Sequence, residues 1–310
     1  MMPNNMVFPR IVISAVKGGS GKTIISTGII AALKAAGKKI SPFKKGPDYI
    51  DAGWLAQAAG RPCYNLDTFL APSEQVLASF RSRSLFADLS VIEGNRGLYD
   101  GIDIEGTTST AELAKLLRAP IILCIDCTKS TRTVAAIVLG CVRFDEEVEI
   151  KGVILNKVAG ARHENILKKS VEYHTGIFVI GSVPKLNRQN FPERHMGLIP
   201  TPEHRWAADS IDAAAQMAAK YIDLAKIEQT AFSAHALPAD EKEKKSEEIL
   251  SKRSSALSEK SKIKPRIGIM RDSAFQFYYQ ENLDALSSAG AELVYTRPLT
   301  DRKIPDIDAL

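Results

Sequence analysis

A glycine-rich stretch, Ser14-Ala-Val-Lys-Gly-Gly-Ser-Gly-Lys-Thr23, joins a β-branched run, Arg10–Ala15, to a helical pattern, Lys22–Ala36. The backbone N–H groups of such a loop point inward and, with the positive end of the helix, cradle phosphate groups. Lys22 would reach the β- and γ-phosphates of ATP, and Thr23 would hold Mg²⁺. A glycine-rich turn without a ligand is the alternative, but the motif and its strand–helix context agree on a phosphate loop. We assign the following residues of the loop to ATP binding: Lys17, Gly18, Gly19, Ser20, Gly21, Lys22 and Thr23.

Short apolar runs and amphipathic patterns continue to alternate after this loop. The predicted strands are Lys39–Phe43, Leu89–Ile92, Ile121–Ile125, Gly152–Leu155 and Ile177–Ile180. The predicted helices are Pro72–Arg83, Thr110–Leu117, Thr131–Val142, His163–His174 and a closing helix, Ala207–Leu224. Strands separated by helices of this length indicate βαβ units. The sequence therefore predicts an α/β fold of the P-loop NTPase type, with a mostly parallel sheet and helices on both faces.

The composition is that of an ordinary globular chain, with 310 residues, 45% hydrophobic and 25% charged, and a net charge of +5. No run of about 18 apolar residues occurs, and Met1–Arg10 is too short and polar for a signal peptide. We therefore expect a cytoplasmic protein that binds neither membrane nor nucleic acid. The four cysteines predict no disulfide framework, and Cys124 and Cys127 should face opposite ways on a strand.

The composition changes late in the chain and suggests three segments. Residues 1–232 form the predicted ATP-binding domain, and residues 233–265 a charged linker rich in lysine, glutamate and serine. Residues 266–310 contain a strand at Arg266–Met270, a helix at Gln280–Ala289 and a strand at Glu292–Tyr295. This last segment is too short to build a core of its own, and it looks like the opening of a second α/β domain.

Two carboxylates follow the second predicted strand in the stretch Lys44-Lys-Gly-Pro-Asp-Tyr-Ile-Asp51. Ligands bind at the carboxyl ends of strands in such sheets. Asp48 and Asp51 would repel a triphosphate unless Mg²⁺ lies between them, which favours a metal site. Asp48 is also a good cap for a following helix, and both roles can hold at once.

A further acidic pair follows the strand that ends near Ile92. Glu93 stands where a phosphate-loop ATPase places the second acidic residue that binds or positions Mg²⁺. Leu98-Tyr-Asp-Gly101 then brings Asp100 toward the same mouth. A purely structural role for Asp100, as the turn residue before Gly101, is the alternative.

The phosphate loop departs from the usual motif at its start, where Val16 replaces the first glycine and Lys17 precedes Gly18-Gly19. This pattern resembles the deviant loop of the partition and septum-site ATPases, in which the extra lysine reaches the nucleotide of a dimer partner. Lys17 is therefore either such a lysine, which would imply a homodimer, or a solvated loop residue.

Taken in order, the motifs resemble those of the cobyrinate a,c-diamide synthase family. The further matches are Gly46-Pro-Asp-Tyr-Ile-Asp51, Glu93-Gly94, Gly97-Leu-Tyr-Asp-Gly101, Val153-Ile-Leu-Asn-Lys-Val158 with Arg162-His163, Pro192-Glu-Arg-His-Met-Gly-Leu198, Arg271-Asp-Ser-Ala-Phe-Gln-Phe-Tyr-Tyr279 and Glu281-Asn282-Leu283. The resemblance covers nearly the whole chain. It implies a ligase that phosphorylates a substrate carboxylate with ATP and Mg²⁺ and then displaces the phosphate with ammonia, which a second, glutaminase domain releases from glutamine.

The resemblance also assigns roles to residues. It implies catalytic roles for Lys22, Asp48, Glu93 and Asp100, metal binding by Thr23, Asp48 and Glu93, adenine binding by Asn156, and binding of a tetrapyrrole polycarboxylate by Tyr49, Asp51, Tyr99, Arg194 and His195. Lys45 and Ala52 stand where we would expect valine and proline in the family. No cysteine follows Pro265, so we expect these 310 residues to lack glutaminase activity.

Two alternative functions remain open at this point. A nickel-sirohydrochlorin a,c-diamide synthase would carry the same motifs, and no residue separates the two substrates. A partition-type ATPase is favoured by Lys17, but it has no need of Asp48-Tyr-Ile-Asp51 or of a glutaminase-like tail.

Overall fold

A computed structural model describes residues 8–186, 207–237 and 264–310 of the chain. These residues fall into two compact units. The first unit takes in the described residues up to Leu237, and the second takes in residues 264–310. The predicted substrate residues Arg194 and His195 lie outside the described residues.

The first unit is built on a seven-stranded sheet in the order β3-β2-β4-β1-β5-β6-β7. Its strands are β1 (Arg10–Ala15), β2 (Ile40–Lys45), β3 (Tyr64–Leu66), β4 (Leu89–Glu93), β5 (Ile121–Asp126), β6 (Ile150–Val158) and β7 (Val179–Pro184). All the pairings between these strands are parallel. The predicted fold class is confirmed.

Helices cover both faces of this sheet. They are α1 (Lys22–Ala35), α2 (Tyr49–Ala59), α3 (Ser73–Ser84), α4 (Thr110–Leu116), α5 (Thr133–Phe144), α6 (Ala161–Thr175), α7 (Ala207–Tyr221) and α8 (Leu224–Phe232). Helices α1, α2, α7 and α8 share one apolar cluster with the sheet, and α3 to α6 share the other. Side chains alternate between the clusters along a strand. Cys124 lies in the first cluster and Cys127, just beyond β5, in the second, as predicted.

The strand order reverses direction beside β1. The chain leaves β1, builds β2 and β3 on the far side of β4, returns through β4, and then continues with β5 on the opposite side of β1. In open parallel sheets, ligands bind at the carboxyl ends of the strands at such a reversal. The loops after β1, β2 and β4 therefore meet where a ligand is expected.

The structure contains two elements that are not among the predicted ones, β3 and α2, and it divides the predicted closing helix in two. Strand β3 has three residues, too few for a periodic signal. The predicted closing helix ends at Tyr221, because Ile222 forms a bridge with Gly181 in β7. A separate helix, α8, then begins after Asp223, whose side chain accepts a hydrogen bond from Lys226 N.

The second unit contains two parallel strands joined by a helix. These are β8 (Arg266–Met270), α9 (Gln280–Ser288) and β9 (Glu292–Thr296). Ile269 and Leu283 are the fully buried hydrophobic residues among residues 264–310. So small a buried apolar set agrees with the expectation that this segment does not build a core alone.

Candidate nucleotide and carboxylate site

The phosphate loop lies between β1 and α1, as the sequence predicts. Gly19 and Gly21 adopt φ values of 73° and 90°, a left-handed region that glycine enters at little cost. Lys17 is exposed, and its carbonyl accepts a hydrogen bond from the Ser20 hydroxyl. Lys22 is buried, and its Nζ donates to the Arg96 carbonyl at 2.6 Å. The lysine that would meet the phosphates is thus held against the loop that follows β4.

Thr23 connects the phosphate loop with the acidic end of β4. Its hydroxyl donates to Glu93 Oε1 at 3.0 Å. The other oxygen, Glu93 Oε2, is buried without a hydrogen-bond partner in the described part of the chain, as is Asp51 Oδ1. Unpaired buried carboxylate oxygens suit Mg²⁺ or its bound water, and a threonine hydroxyl is a usual further ligand in phosphate-loop proteins. The residues present therefore fit the predicted magnesium ion.

No group of three or more His, Cys, Asp or Glu side chains within residues 8–186, 207–237 and 264–310 is arranged to hold a metal by itself. Mg²⁺ is commonly bound by one or two carboxylates together with substrate phosphates and water. A hydroxyl with one buried carboxylate beside a phosphate loop matches that kind of site.

Lys44 is a residue of this cluster that the sequence analysis did not assign to the site. It is the fifth residue of β2, its side chain is 1% exposed, and its Nζ lies 2.7 Å from Asp51 Oδ2 and 3.0 Å from Glu93 Oε1. Nζ also donates to the Gly94 carbonyl at 3.1 Å and lies 3.8 Å from Asp48 Oδ2. One buried ammonium group thus joins the loop after β2 to the end of β4.

The electrostatics of this cluster follow from burial and opposite charge. Burial lowers the pKa of Lys44, but the carboxylates of Glu93, Asp51 and Asp48 outweigh it, so the pKa lies above its ordinary value. Burial raises the pKa of Glu93 to about 7, although Lys44 opposes the shift. Burial also acts to raise the pKa of Asp51, but Lys44 prevails and lowers it. Lys44 and Asp51 therefore form a charged pair, and Glu93 titrates near neutrality.

Asp48 begins α2 as its N-cap. Its Oδ1 accepts a hydrogen bond from Asp51 N at 3.0 Å, as capping aspartates do. Burial and the neighbouring charge of Asp51 raise its pKa. The capping role is present, and the carboxylate also lies close enough to Lys44 to share the cluster. Tyr49, assigned to substrate, is the half-buried first residue of α2.

Tyr99 and Asp100 lie on the loop that follows β4. Asp100 is exposed, and its Oδ2 accepts a hydrogen bond from Gly97 N at 2.8 Å, which is the turn role considered as its alternative. The Tyr99 hydroxyl donates to the Cys141 carbonyl, and its ring lies 4.7 Å from that of Phe144, both in α5. These contacts fix the loop against the body of the unit, and the catalytic and substrate assignments of the two residues stay predictions.

Asn156, assigned to the adenine ring, is buried beside the phosphate loop. Its Nδ2 donates to the Ser20 carbonyl at 2.8 Å, and its Oδ1 accepts from Lys157 N at 2.9 Å. A Cβ on Gly21 would collide with the amide of Asn156, so that position needs glycine. Asn156 therefore supports the loop from the end of β6, and its contact with adenine stays a prediction.

Relatives with known names match this chain closely. A cobyrinate a,c-diamide synthase of Magnetococcus marinus is 40% identical over 97% of this chain and 63% of its own length. One from Methanosarcina acetivorans is 39% identical over 97% of this chain and 61% of its own. A hydrogenobyrinate a,c-diamide synthase of Streptomyces coelicolor is 39% identical over 96% and 66%. The resemblance inferred from the motifs is confirmed, and the chain spans less than two thirds of the length of these relatives.

Among solved structures, chloroplast FtsY from Physcomitrella patens overlaps 69% of this chain and 67% of its own, with a TM-score of 0.42 and 16% identity. That likeness is too low to bear on function.

The parallel sheet, the reversal beside β1 and the loop ending in Lys22-Thr23 define a phosphate-loop nucleotide-binding protein. The family model for the CobQ/CobB/MinD/ParA nucleotide-binding domain matches residues 11–199. The chain belongs to this family.

No helix in the described ranges is long and apolar enough to cross a membrane.

Replacing Lys44 should destabilise the fold. Lys44→Met leaves two buried carboxylates without their cation, and breaking a buried pair in this way costs about 3–5 kcal/mol. Urea unfolding at pH 7 measures the change, and Lys44→Met/Asp51→Asn should recover part of it. Lys38→Met, which removes a half-exposed pair with Glu228, is the control and should change the stability much less than Lys44→Met. A Lys44→Met protein as stable as the wild type would contradict the buried-charge account.

Glu93 should make stability depend on pH. Its folded pKa of about 7 lies above the ordinary value of 4.5, so the folded state binds the extra proton. The stabilisation is complete below pH 4.5 and is lost as the pH rises to 7. In metal-free buffer, the stability of the wild type relative to Glu93→Gln should therefore fall over that interval. The exposed Glu164→Gln controls for loss of a surface charge, and a constant difference between wild type and Glu93→Gln would refute the shift.

Proposed function

We propose that this chain carries the ATP-dependent synthetase of a cobyrinate a,c-diamide synthase, a carbon–nitrogen ligase that amidates the a and c carboxylates of a corrin ring. The main observation that supports this proposal is the cluster in which Lys44 contacts Asp51 and Glu93 beside the phosphate-loop residue Thr23. The cluster links a buried cation and two carboxylates to Thr23 of the phosphate loop. Such an arrangement suits transfer of a phosphoryl group to an anionic substrate.

The reaction proceeds in two displacements. A carboxylate oxygen of the substrate attacks the γ-phosphorus of ATP, the bond to the bridging oxygen breaks, and ADP leaves with that electron pair. Ammonia then attacks the acyl carbon of the resulting acyl phosphate, inorganic phosphate leaves, and the nitrogen releases a proton to solvent. Positioning and charge neutralisation suffice for the first displacement, so no covalent protein nucleophile is required.

Each residue of the site has a role that follows from its position. Lys22 neutralises the β- and γ-phosphates, and Asn156 supports the loop that holds them. Thr23 and Glu93, with Asp48 nearby, would hold Mg²⁺, which when bound neutralises phosphate charge. Lys44, whose charge is paired with Asp51, holds the Asp51 and Glu93 carboxylates in place beside the phosphate loop. Substrate contacts are assigned to Tyr49, Asp51, Tyr99, Arg194 and His195, and Asp100 completes the catalytic set.

Three tetrapyrrole substrates are compatible with the motifs of this chain. One similar relative is named for cobyrinate and another for hydrogenobyrinate, and a nickel-sirohydrochlorin substrate fits the same motifs. A partition-type ATPase is a second candidate, favoured by the exposed Lys17. The Lys44 cluster and the names of the relatives favour the ligase. We place the reaction in the cytoplasm, with no nucleic acid or membrane as partner.

Replacing Lys22 should abolish amidation, because the phosphates lose their point charge. Lys22→Ala is compared with the wild type for ADP release in the presence of ATP, Mg²⁺ and a corrin polycarboxylate. Lys17→Ala is the matched variant from the same loop. Wild-type turnover by Lys22→Ala would refute the loop assignment. If Lys17→Ala loses both turnover and dimer formation, the hypothesis that Lys17 acts as in the partition-type ATPases is supported.

The nitrogen donor gives a further prediction. No cysteine follows Pro265 in the sequence, so residues 266–310 hold no thiol for glutamine hydrolysis. A polypeptide of these 310 residues should amidate with ammonia, at a rate that rises with pH as more NH₃ is present, and should not use glutamine. Product analysis with each donor checks this. Product formed with glutamine would contradict the proposal. If no product forms with ammonia either, these residues are not an autonomous synthetase.

A further inference from the structure

The loop between β4 and α4, residues 94–109, presents two isoleucines to the outside. Ile102 is 67% exposed and Ile104 is 99% exposed. Apolar side chains exposed together beside a ligand site commonly mark a contact surface. The loop begins directly after Glu93 and so connects the carboxylate site with these exposed side chains.

The conformation of this loop is well determined by internal contacts. Gly101 packs so closely on Gly106 that a Cβ would lie 2.6 Å from the Gly106 Cα. The Asp103 side chain accepts hydrogen bonds from the backbone N–H and the hydroxyl of Thr107. The tip is thus closed on itself, with its isoleucines left outside.

The base of the loop is attached to the phosphate-loop side of the sheet. Leu98 is buried, and its N–H donates to the Ala15 carbonyl at 2.7 Å. The Arg96 carbonyl accepts the hydrogen bond from Lys22. Ile104 lies six positions after Leu98, which limits the distance between their Cα atoms to about 20 Å. The exposed tip is therefore tethered to the end of β1, which leads into the phosphate loop.

Cations lie at the same edge of the sheet. Lys45 ends β2 and is half-buried, and Arg96 is exposed with φ 50°, an uncommon backbone conformation for a residue other than glycine. A Cβ on Gly46, the residue after Lys45, would lie 3.5 Å from Asn95 Nδ2, so the backbone beside Arg96 passes close to the end of β2. Burial lowers the pKa of Lys45, the charge of Asp67 opposes this, and the charges of Lys44 and Arg96 lower it further. Lys45 and Arg96 together carry one charge more than Asp67 offsets, which favours an anionic ligand at this strand end.

We propose that Ile102 and Ile104 contact the apolar face of the tetrapyrrole ring while Lys45 and Arg96 bind one of its peripheral carboxylates. The inference rests on the proposed function, since it names the surface on which that substrate lies. A flat apolar ring that carries carboxylates matches both the exposed isoleucines and the two cations.

The test measures binding and KM separately for each substrate. With ammonia as nitrogen donor and saturating ATP, Ile102→Ser/Ile104→Ser should raise the KM for cobyrinic acid about tenfold or more, because each isoleucine loses apolar contact. The KM for ATP should not change. An absorbance titration of cobyrinic acid without ATP should show the same weakening. Ile104→Leu should retain binding, and Phe86→Ser, at an exposed position between α3 and β4, is the matched control and should behave as wild type.

The cationic part is tested with Lys45→Met and Lys45→Arg. Lys45→Met should raise the KM for cobyrinic acid and flatten its dependence on salt, and Lys45→Arg should keep both. If the wild type turns over normally and the double serine variant has the same KM for cobyrinic acid, the inference is overturned and the proposed function stays intact. Wild type that neither binds cobyrinic acid nor releases ADP with it would overturn both.

Discussion

The site depends on one buried ammonium group. Lys44 is placed where Asp51 and Glu93 would otherwise repel each other, and both of its short contacts are 3.0 Å or less. Glu93 in turn accepts the hydroxyl of Thr23, so the same chain of contacts reaches the phosphate loop. Because a buried charge is costly without partners, each of these groups restricts where the others can lie. The loop after β2, the end of β4 and the start of α1 are thereby held together.

The parallel sheet makes this arrangement possible. Lys44 and Glu93 are direct partners in the register between β2 and β4, and β4 also pairs with β1, which leads into the phosphate loop. The carboxyl ends of adjacent parallel strands meet at one edge, so groups distant in sequence become neighbours. The strand reversal beside β1 opens this edge to a ligand. The fold thus determines which residues meet, and the buried charges determine how closely.

Much of this could be predicted from the sequence, because the strongest signals are local. Lys22 and Thr23 follow from a motif with fixed spacing, and Glu93 from an acid at the end of an apolar strand. Lys44 could not be predicted, since two successive lysines in a strand give no sign of which one is buried. Its partners belong to another strand and to the following helix. The one signal in the sequence was the position of Lys44, which follows Phe43 in a strand that leads into the loop Gly46-Pro-Asp48. The extra bonds of Tyr99 and Asn156 depend on tertiary contacts in the same way.

The central claim is that the site transfers a phosphoryl group to a substrate carboxylate, and oxygen labelling tests it most directly. Cobyrinic acid with ¹⁸O in its carboxylates is incubated with the chain, ATP, Mg²⁺ and ammonia, and the inorganic phosphate is analysed by mass spectrometry. In an acyl phosphate route, one carboxylate oxygen passes to phosphate for each amide formed, so the account predicts one ¹⁸O per phosphate released with product. Amide formed while the phosphate carries no ¹⁸O from the substrate would contradict it.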